Sequence, residues 1–193
     1  MRTNLISEEL FASFRDTGHD LFLTGAVSSH GGNMSVRIGD RILITRSGSM
    51  LGRLTRKDIL ETGIEACPED EGCSRELVVH RAIYQATDAQ AICHAHTVHT
   101  IHRSLGCDVI VPLDSESKAI LGDVPVVTAA QTIASAEAAE VLSAALREGK
   151  IAVLRTHGPF AKGATLEEAF YHVSCLEASA HILDMRDSSH AQV

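Results

Sequence analysis

Met34-Ser-Val-Arg-Ile38, then Gly39-Asp40, then Arg41-Ile-Leu-Ile-Thr45 is the stretch on which the fold turns. Two short apolar-rich runs separated by a two-residue Gly-Asp link read as a β-hairpin with a tight turn. A hairpin forces antiparallel pairing, so the sheet built on it is not the all-parallel kind. Helical and extended patterns alternate along the rest of the chain, which predicts one α/β domain with helices packed on a mixed sheet.

Working outward from the hairpin, Leu10, Phe11, Phe14, Leu21 and Phe22 recur at helical spacing behind Ser7-Glu8-Glu9, predicting an amphipathic helix over Leu5 to Thr24. Gly25 to Gly32 breaks it. Downstream, Arg46 to Gly52 reads as a small polar loop and Ile64 to Gly72 as an acidic loop around Pro68. Ser74 is expected to cap a helix running through Ala86, with Glu76 in its first turn. Ala91 to His96 reads as a strand, Thr97 to Ser104 as a helix, and Val109 to Val111 and Val124 to Val127 as short strands. The Ala, Glu and Leu content of Ser135 to Glu148 predicts a helix stopped by Gly149. Ile151 to Thr156 is the clearest buried strand, and His157-Gly-Pro turns it into another strand through Ala161. Thr165 caps a long helix to about Met185, followed by a frayed tail.

The chain has 193 residues, matching a single domain over 1–193 with a core at about 8–186 and a flexible C-terminal tail. Seventeen Lys and Arg against 25 Asp and Glu leave a net charge of −8, which argues against a nucleic-acid partner. The apolar runs fall far short of the ~20 residues a membrane helix needs, so no membrane partner is expected. Residues 1 to 24 carry no basic segment followed by an apolar one, so no secretory signal is read there. Five cysteines, an odd number with no CxxC, read as reduced thiols in a cytoplasmic protein. Eleven histidines are the compositional outlier.

His94-Ala95-His96 carries the sharpest chemistry, because alternate residues of a strand project to one side and both imidazoles face one point. His157, at the end of the other strong strand, completes a three-imidazole set if the two strands end side by side. Three neutral imidazoles with an open position are the pattern of a catalytic zinc-type site. The plainer alternative is two polar residues at a strand end and a turn histidine. His96, His99 and His102 share an i, i+3 spacing and form a rival set, although a solvated or core role suits His99 and His102 better. His80 stands four residues after Glu76 on one helical face. Glu76 is either a cap residue favoured by the helix dipole or a proton shuttle beside the metal. Gly31-Gly32-Asn33, Ser47-Gly48-Ser49 and Ser74 at a helix start resemble oxyanion cradles, and each taken singly is an ordinary turn.

Taken in order, Gly32-Asn33-Met-Ser-Val, Ile-Leu-Ile-Thr45-Arg-Ser47-Gly48, Ser74-Arg-Glu76, His94-Ala-His96 and His157-Gly158 resemble the motifs of the class II aldolase/adducin family, from about Leu10 to Met185. The resemblance is closest to its L-fuculose-1-phosphate aldolases. It implies a three-layer α/β/α fold with a central mixed, mainly antiparallel sheet, and a homotetramer with active sites at subunit boundaries. It also implies Zn2+, with cobalt, manganese or iron as alternatives, held by His94, His96 and His157, with Glu76 as acid/base and at times a fourth ligand. Gly32, Asn33, Ser47, Gly48, Ser74 and Arg75 would bind the phosphorylated ketose substrate. The implied activity is reversible cleavage of a ketose 1-phosphate to dihydroxyacetone phosphate and an aldehyde. Sugar-phosphate 4-epimerases, methylthioribulose-phosphate dehydratases and decarboxylases use the same scaffold, and adducin-like members are non-catalytic scaffolds that tend to lose the metal histidines.

Two departures stand out. Arg75 occupies a position where fuculose-phosphate aldolases typically carry serine. The family's aldolases take a proton-donating tyrosine from a neighbouring subunit, whereas the two tyrosines here, Tyr84 and Tyr171, lie outside Pro112 to Leu121. Asp114, Glu116, Lys118 or water are the alternatives for that role.

Overall fold

The structure, a computed structural model, describes residues 5–190. Eight strands form one sheet: β1 Asn33–Ile38, β2 Arg41–Thr45, β3 Ile59–Gly63, β4 Ala91–His94, β5 Val109–Ile110, β6 Val124–Val127, β7 Ile151–Leu154 and β8 Gly158–Gly163, in the order β3-β2-β1-β4-β8-β7-β6-β5. Every neighbouring pair is antiparallel except β6 and β7. The hairpin forms as read, with Ser35 opposite Ile44 and Ile38 opposite Arg41.

Six helices cover the two faces: α1 Glu8–Leu23, α2 Leu77–Ala86, α3 Val98–Ser104, α4 Ser115–Ile120, α5 Ala136–Glu148 and α6 Leu166–His190. The period of two along the strands decides which helix meets which face. Leu43, Cys93, Ile151 and Val153 point to one side, where Phe14 and Leu21 of α1 and Val173 and Leu176 of α6 close a core. Ile42, Ile44, Ile92, Ala152 and Leu154 point to the other, against Leu77 and Ile83 of α2 and Leu142 and Leu146 of α5. The result is a three-layer α/β/α arrangement with a mixed, mainly antiparallel sheet. Each layer depends on side chains such as Leu142, wholly buried, whose truncation to alanine costs about 2–5 kcal/mol. Among the described residues no helix is long and apolar enough to cross a membrane.

Several element bounds differ from the sequence reading, each for a local reason. The first helix begins at Glu8, because Ser7 accepts the Leu10 N–H at 3.1 Å as its N-cap. The second begins at Leu77, so Glu76 is its N-cap residue instead of lying in the first turn, and its side chain makes no cap bond. The strand expected through His96 stops at His94, since the His96 N–H leaves the ladder for Ala26 O. The strand expected through Thr156 stops at Leu154, because Thr156 takes a positive φ of 67° to start the turn into β8. β8 lies between β4 and β7, so the two strands expected to end side by side are not neighbours. The last helix runs to His190, past Met185, so the frayed tail does not begin there, and residues 191–193 lie outside the described ones. Strand β3 and helix α4 have no counterpart in the sequence reading.

Candidate metal centre

Register brings the site together. His94 ends β4 and is paired with Asn33 at the start of β1 on one side and with Phe160 of β8 on the other. His157 precedes β8 and reaches the same end of the sheet because Gly158 lies against the Ala95–His96 backbone just past β4. A Cβ on Gly158 would stand 2.2 Å from Ala95 O, and its φ of 138° is open to glycine alone at little cost. Gly32, at φ 75°, is equally constrained, since a Cβ there would meet His94 O at 2.8 Å.

Three Nε2 atoms converge. His94 Nε2 is 3.0 Å from His96 Nε2 and 3.3 Å from His157 Nε2. The Nδ1–H of His94 donates to Pro159 O at 3.0 Å and that of His157 to Thr132 O at 2.8 Å. Those bonds fix the tautomers of His94 and His157 and leave the Nε2 lone pairs of these two rings facing one another. Lone pairs at this separation repel unless a cation lies between them. Ligands ~2.0–2.1 Å from a tetrahedral zinc-type ion stand ~3.3–3.4 Å apart, which the two His94 distances approach, and the three candidate ligand atoms all lie within 4.8 Å of one another. Burial, and then the charges of His157 and His96, hold His94 well below the ordinary imidazole range. Burial and His157 push His96 down to about 4, and burial lowers His157 against the opposing Thr132 carbonyl. All three are therefore neutral ligands near pH 7. Among the described residues this is the group of three or more candidate ligands that can hold a metal ion.

Glu76 lies outside that group but opens on the same cavity of about 430 Å³. Its Oε1 accepts the Ala134 N–H at 3.2 Å, while Oε2 is buried with no partner. Burial raises its pKa, and the Ala134 N–H and the Arg75 charge oppose the rise. A carboxylate so held, with one oxygen unused beside three imidazoles, is equipped to carry a proton. The segment between β6 and α5 thus supplies the Thr132 carbonyl to His157 and the Ala134 N–H to Glu76. Ala134 adopts a positive φ of 53° to do so, an uncommon conformation for a residue with a side chain.

The remaining residues singled out from the sequence line the same cavity: Gly32, Asn33, Ser47, Gly48, Ser74 and Arg75. Two of the three turns are tied to each other by backbone bonds, Ser47 N to Gly72 O and Ser74 N to Thr45 O, both at 3.0 Å. Ser74 Oγ accepts the Glu76 N–H at 3.3 Å, so it acts just ahead of the helix. The Ser47 hydroxyl and the Gly48 N–H have no partner among the described residues and are free for a ligand. Asp114, Glu116 and Lys118 sit on or beside α4 and do not line the cavity of their own chain.

Sequence reading missed three cavity residues, His30, Arg46 and Ile133, and the two backbone groups of Thr132 and Ala134. Backbone groups carry no residue-type signal. The rival set does not form: His99 and His102 turn away to Asp184. His80 is wholly buried beneath Asn33.

Comparison with known proteins gives the family. Residues 12–183 match the family described as "Class II Aldolase and Adducin N-terminal domain". The crystal structure of L-fuculose-1-phosphate aldolase from Thermus thermophilus superposes with a TM-score of 0.93 at 40% identity, covering 96% of this chain and 97% of that one. An L-fuculose phosphate aldolase of Methanocaldococcus jannaschii is 31% identical over 157 residues, 81% of this chain and 85% of the relative. A methylthioribulose-1-phosphate dehydratase of a Bradyrhizobium species is 33% identical over 175 residues, 79% of this chain and 80% of the relative. The match to a probable bifunctional methylthioribose-1-phosphate isomerase/methylthioribulose-1-phosphate dehydratase of Nocardia farcinica spans 48% of this chain and 17% of that protein. With a family match over most of its length, the chain belongs to the class II aldolase and adducin family.

Proposed function

We propose that this chain is a zinc-dependent lyase that reversibly cleaves a ketose 1-phosphate of the L-fuculose 1-phosphate type into dihydroxyacetone phosphate and an aldehyde. The observation that carries the reading is the meeting of three neutral Nε2 atoms with an unpartnered Glu76 oxygen in one cavity. His94, His96 and His157 would hold the cation, whose Lewis acidity polarises a carbonyl by several kcal/mol without a Schiff-base lysine.

The chain's own groups supply the rest. Ser47, Gly48, Ser74, Asn33 and Arg75 bind the phosphate, using hydroxyl, amide and guanidinium donors. When the C3–C4 bond breaks, its electron pair stays on C3 and takes a proton from Glu76. The C4 hydroxyl loses its proton to water or to a group from a neighbouring copy. The raised pKa of Glu76 suits a group that must both give and take a proton near neutrality.

The same reading includes a cytoplasmic homotetramer. Five free thiols support a reducing compartment. Exposed Val98, Leu105, Val109, Val111 and Leu113 provide apolar surface for subunit contacts. The dehydratase relative favours one second reading, loss of water from the same bound ketose phosphate. A non-catalytic scaffold has no use for the three imidazoles and Glu76. Metal-loaded protein given a panel of ketose 1-phosphates separates the readings. Release of dihydroxyacetone phosphate is expected, a product lighter by one water favours dehydration, and neither product with any substrate overturns both.

A further inference from the structure

Asn33 borders the cavity while its carboxamide is held from behind. Its Oδ1 lies 2.6 Å from Nε2 of His80. His80 Nδ1 lies 2.6 Å from Ser35 Oγ, which in turn lies 2.7 Å from the Tyr84 hydroxyl. Ser35 and His80 are fully enclosed and Tyr84 is 1% exposed, so no water completes the chain of bonds from outside. Burial alone pushes the His80 pKa down to about 3, and the neutral ring has one donor nitrogen and one acceptor nitrogen.

This chain has a preferred direction. A carboxamide oxygen only accepts, so His80 Nε2 carries the hydrogen and Nδ1 accepts from the Ser35 hydroxyl. Ser35 Oγ then accepts from Tyr84, and every hydrogen in the chain has an acceptor. If the Asn33 amide turned over, His80 Nδ1–H would donate to Ser35 Oγ, and the Ser35 and Tyr84 hydroxyls would be left with only each other as acceptors. One of their two hydrogens would then be buried with no acceptor among the described residues, a configuration that folded proteins avoid.

We infer that Tyr84, Ser35 and His80 are positioning residues that lock the Asn33 amide with its NH2 group toward the cavity. Asn33 is thereby an obligate donor to an anionic phosphoryl oxygen of the ligand. Without this lock a carboxamide presents oxygen or nitrogen with little preference, and an oxygen there repels the anion. The inference rests on the phosphate cradle proposed above and not on which substrate bond is cleaved.

The experiment uses metal-loaded protein, inorganic phosphate as probe, and two readouts. Nitrogen-15 spectra of the His80 ring in the unaltered chain are expected to report the Nε2–H tautomer. Calorimetric phosphate binding is expected to weaken about tenfold in Ser35→Ala and in His80→Gln, with bound metal and unfolding midpoint measured alongside. Ser35→Thr, which keeps the hydroxyl, is expected to restore affinity to within about threefold. If His80→Gln does not fold, the Ser35 pair carries the test. A merely structural role would lower the midpoint without changing phosphate affinity in the folded fraction. An Nδ1–H tautomer, Ser35→Ala affinity within twofold of the unaltered chain, or no phosphate binding by the unaltered chain each overturns the inference. The product assay decides the aldolase reading separately, because phosphate binding requires no turnover.

Discussion

Two groups of histidines, one including His94 and His96 and the other His99 and His102 a few residues further on, behave in opposite ways. His94, His96 and His157 turn their Nε2 atoms toward one another with no acid between them. His99 and His102 each donate Nδ1–H to Asp184, at 2.7 and 3.0 Å, and His181 stacks on His99 at 4.0 Å. Arg103 forms an ion pair with the same carboxylate at 2.7 Å, and Glu177 accepts the His99 and Thr100 N–H groups, both at 2.9 Å, at the start of α3. The second cluster therefore has its donors answered by carboxylates and fastens α3 to α6, while the first has acceptors left over. Residue type is the same in both; the neighbouring groups decide which cluster attracts a cation and which one splints two helices.

The largest expected effect comes from removing a member of the first cluster. His157→Ala is expected to lose stoichiometric metal and at least a thousandfold in turnover, whereas His99→Ala keeps its metal. Elemental analysis of both proteins checks this, and full metal retention in His157→Ala would break the contrast. Next, Glu76→Gln is expected to keep the metal and lose about 10²–10⁴-fold in kcat, because under the proposed function its unpartnered oxygen moves the proton. Unchanged kcat would remove it from the chemistry.

Asp184→Asn addresses the second cluster. It is expected to lower unfolding stability by about 1–3 kcal/mol, since a half-buried carboxylate that serves two imidazoles and a guanidinium loses its charge and one of its two acceptor oxygens, with metal content unchanged. Denaturant titration gives the stability, and a loss of metal instead would show that the clusters are not independent. The smallest effect is expected for Ala134→Gly. Relief of the positive φ and the greater freedom of the unfolded chain nearly cancel, leaving stability within about 1 kcal/mol. Only a several-fold fall in kcat is expected from the looser hold on Glu76, and a loss as large as that of Glu76→Gln would mean that this one N–H sets the whole position of the carboxylate.

The hairpin, the β4 histidines and the α5 helix were legible because each depends on local spacing: a two-residue turn, a period of two, and a run of helix formers ending in glycine. The three cradle turns and Glu76 were legible as residue types. Their joint placement was not, since it follows from the pairing of Asn33 with His94 and from the Gly158 backbone resting on Ala95. Strand β3 was missed because Ile59-Leu-Glu-Thr-Gly63 is short, carries a charge and forms the sheet edge, so little apolar alternation marks it. The His80 chain was invisible for a different reason. Spacing along α2 puts His80 under Glu76, but only the third dimension supplies Asn33 and Ser35 on its other sides.

The segment that joins β6 to α5 holds His157 through one carbonyl and Glu76 through one amide only two residues further on. An insertion or deletion there would displace the His157 ring and the Glu76 carboxylate together, so one change of length is expected to move both sides of the cavity at once.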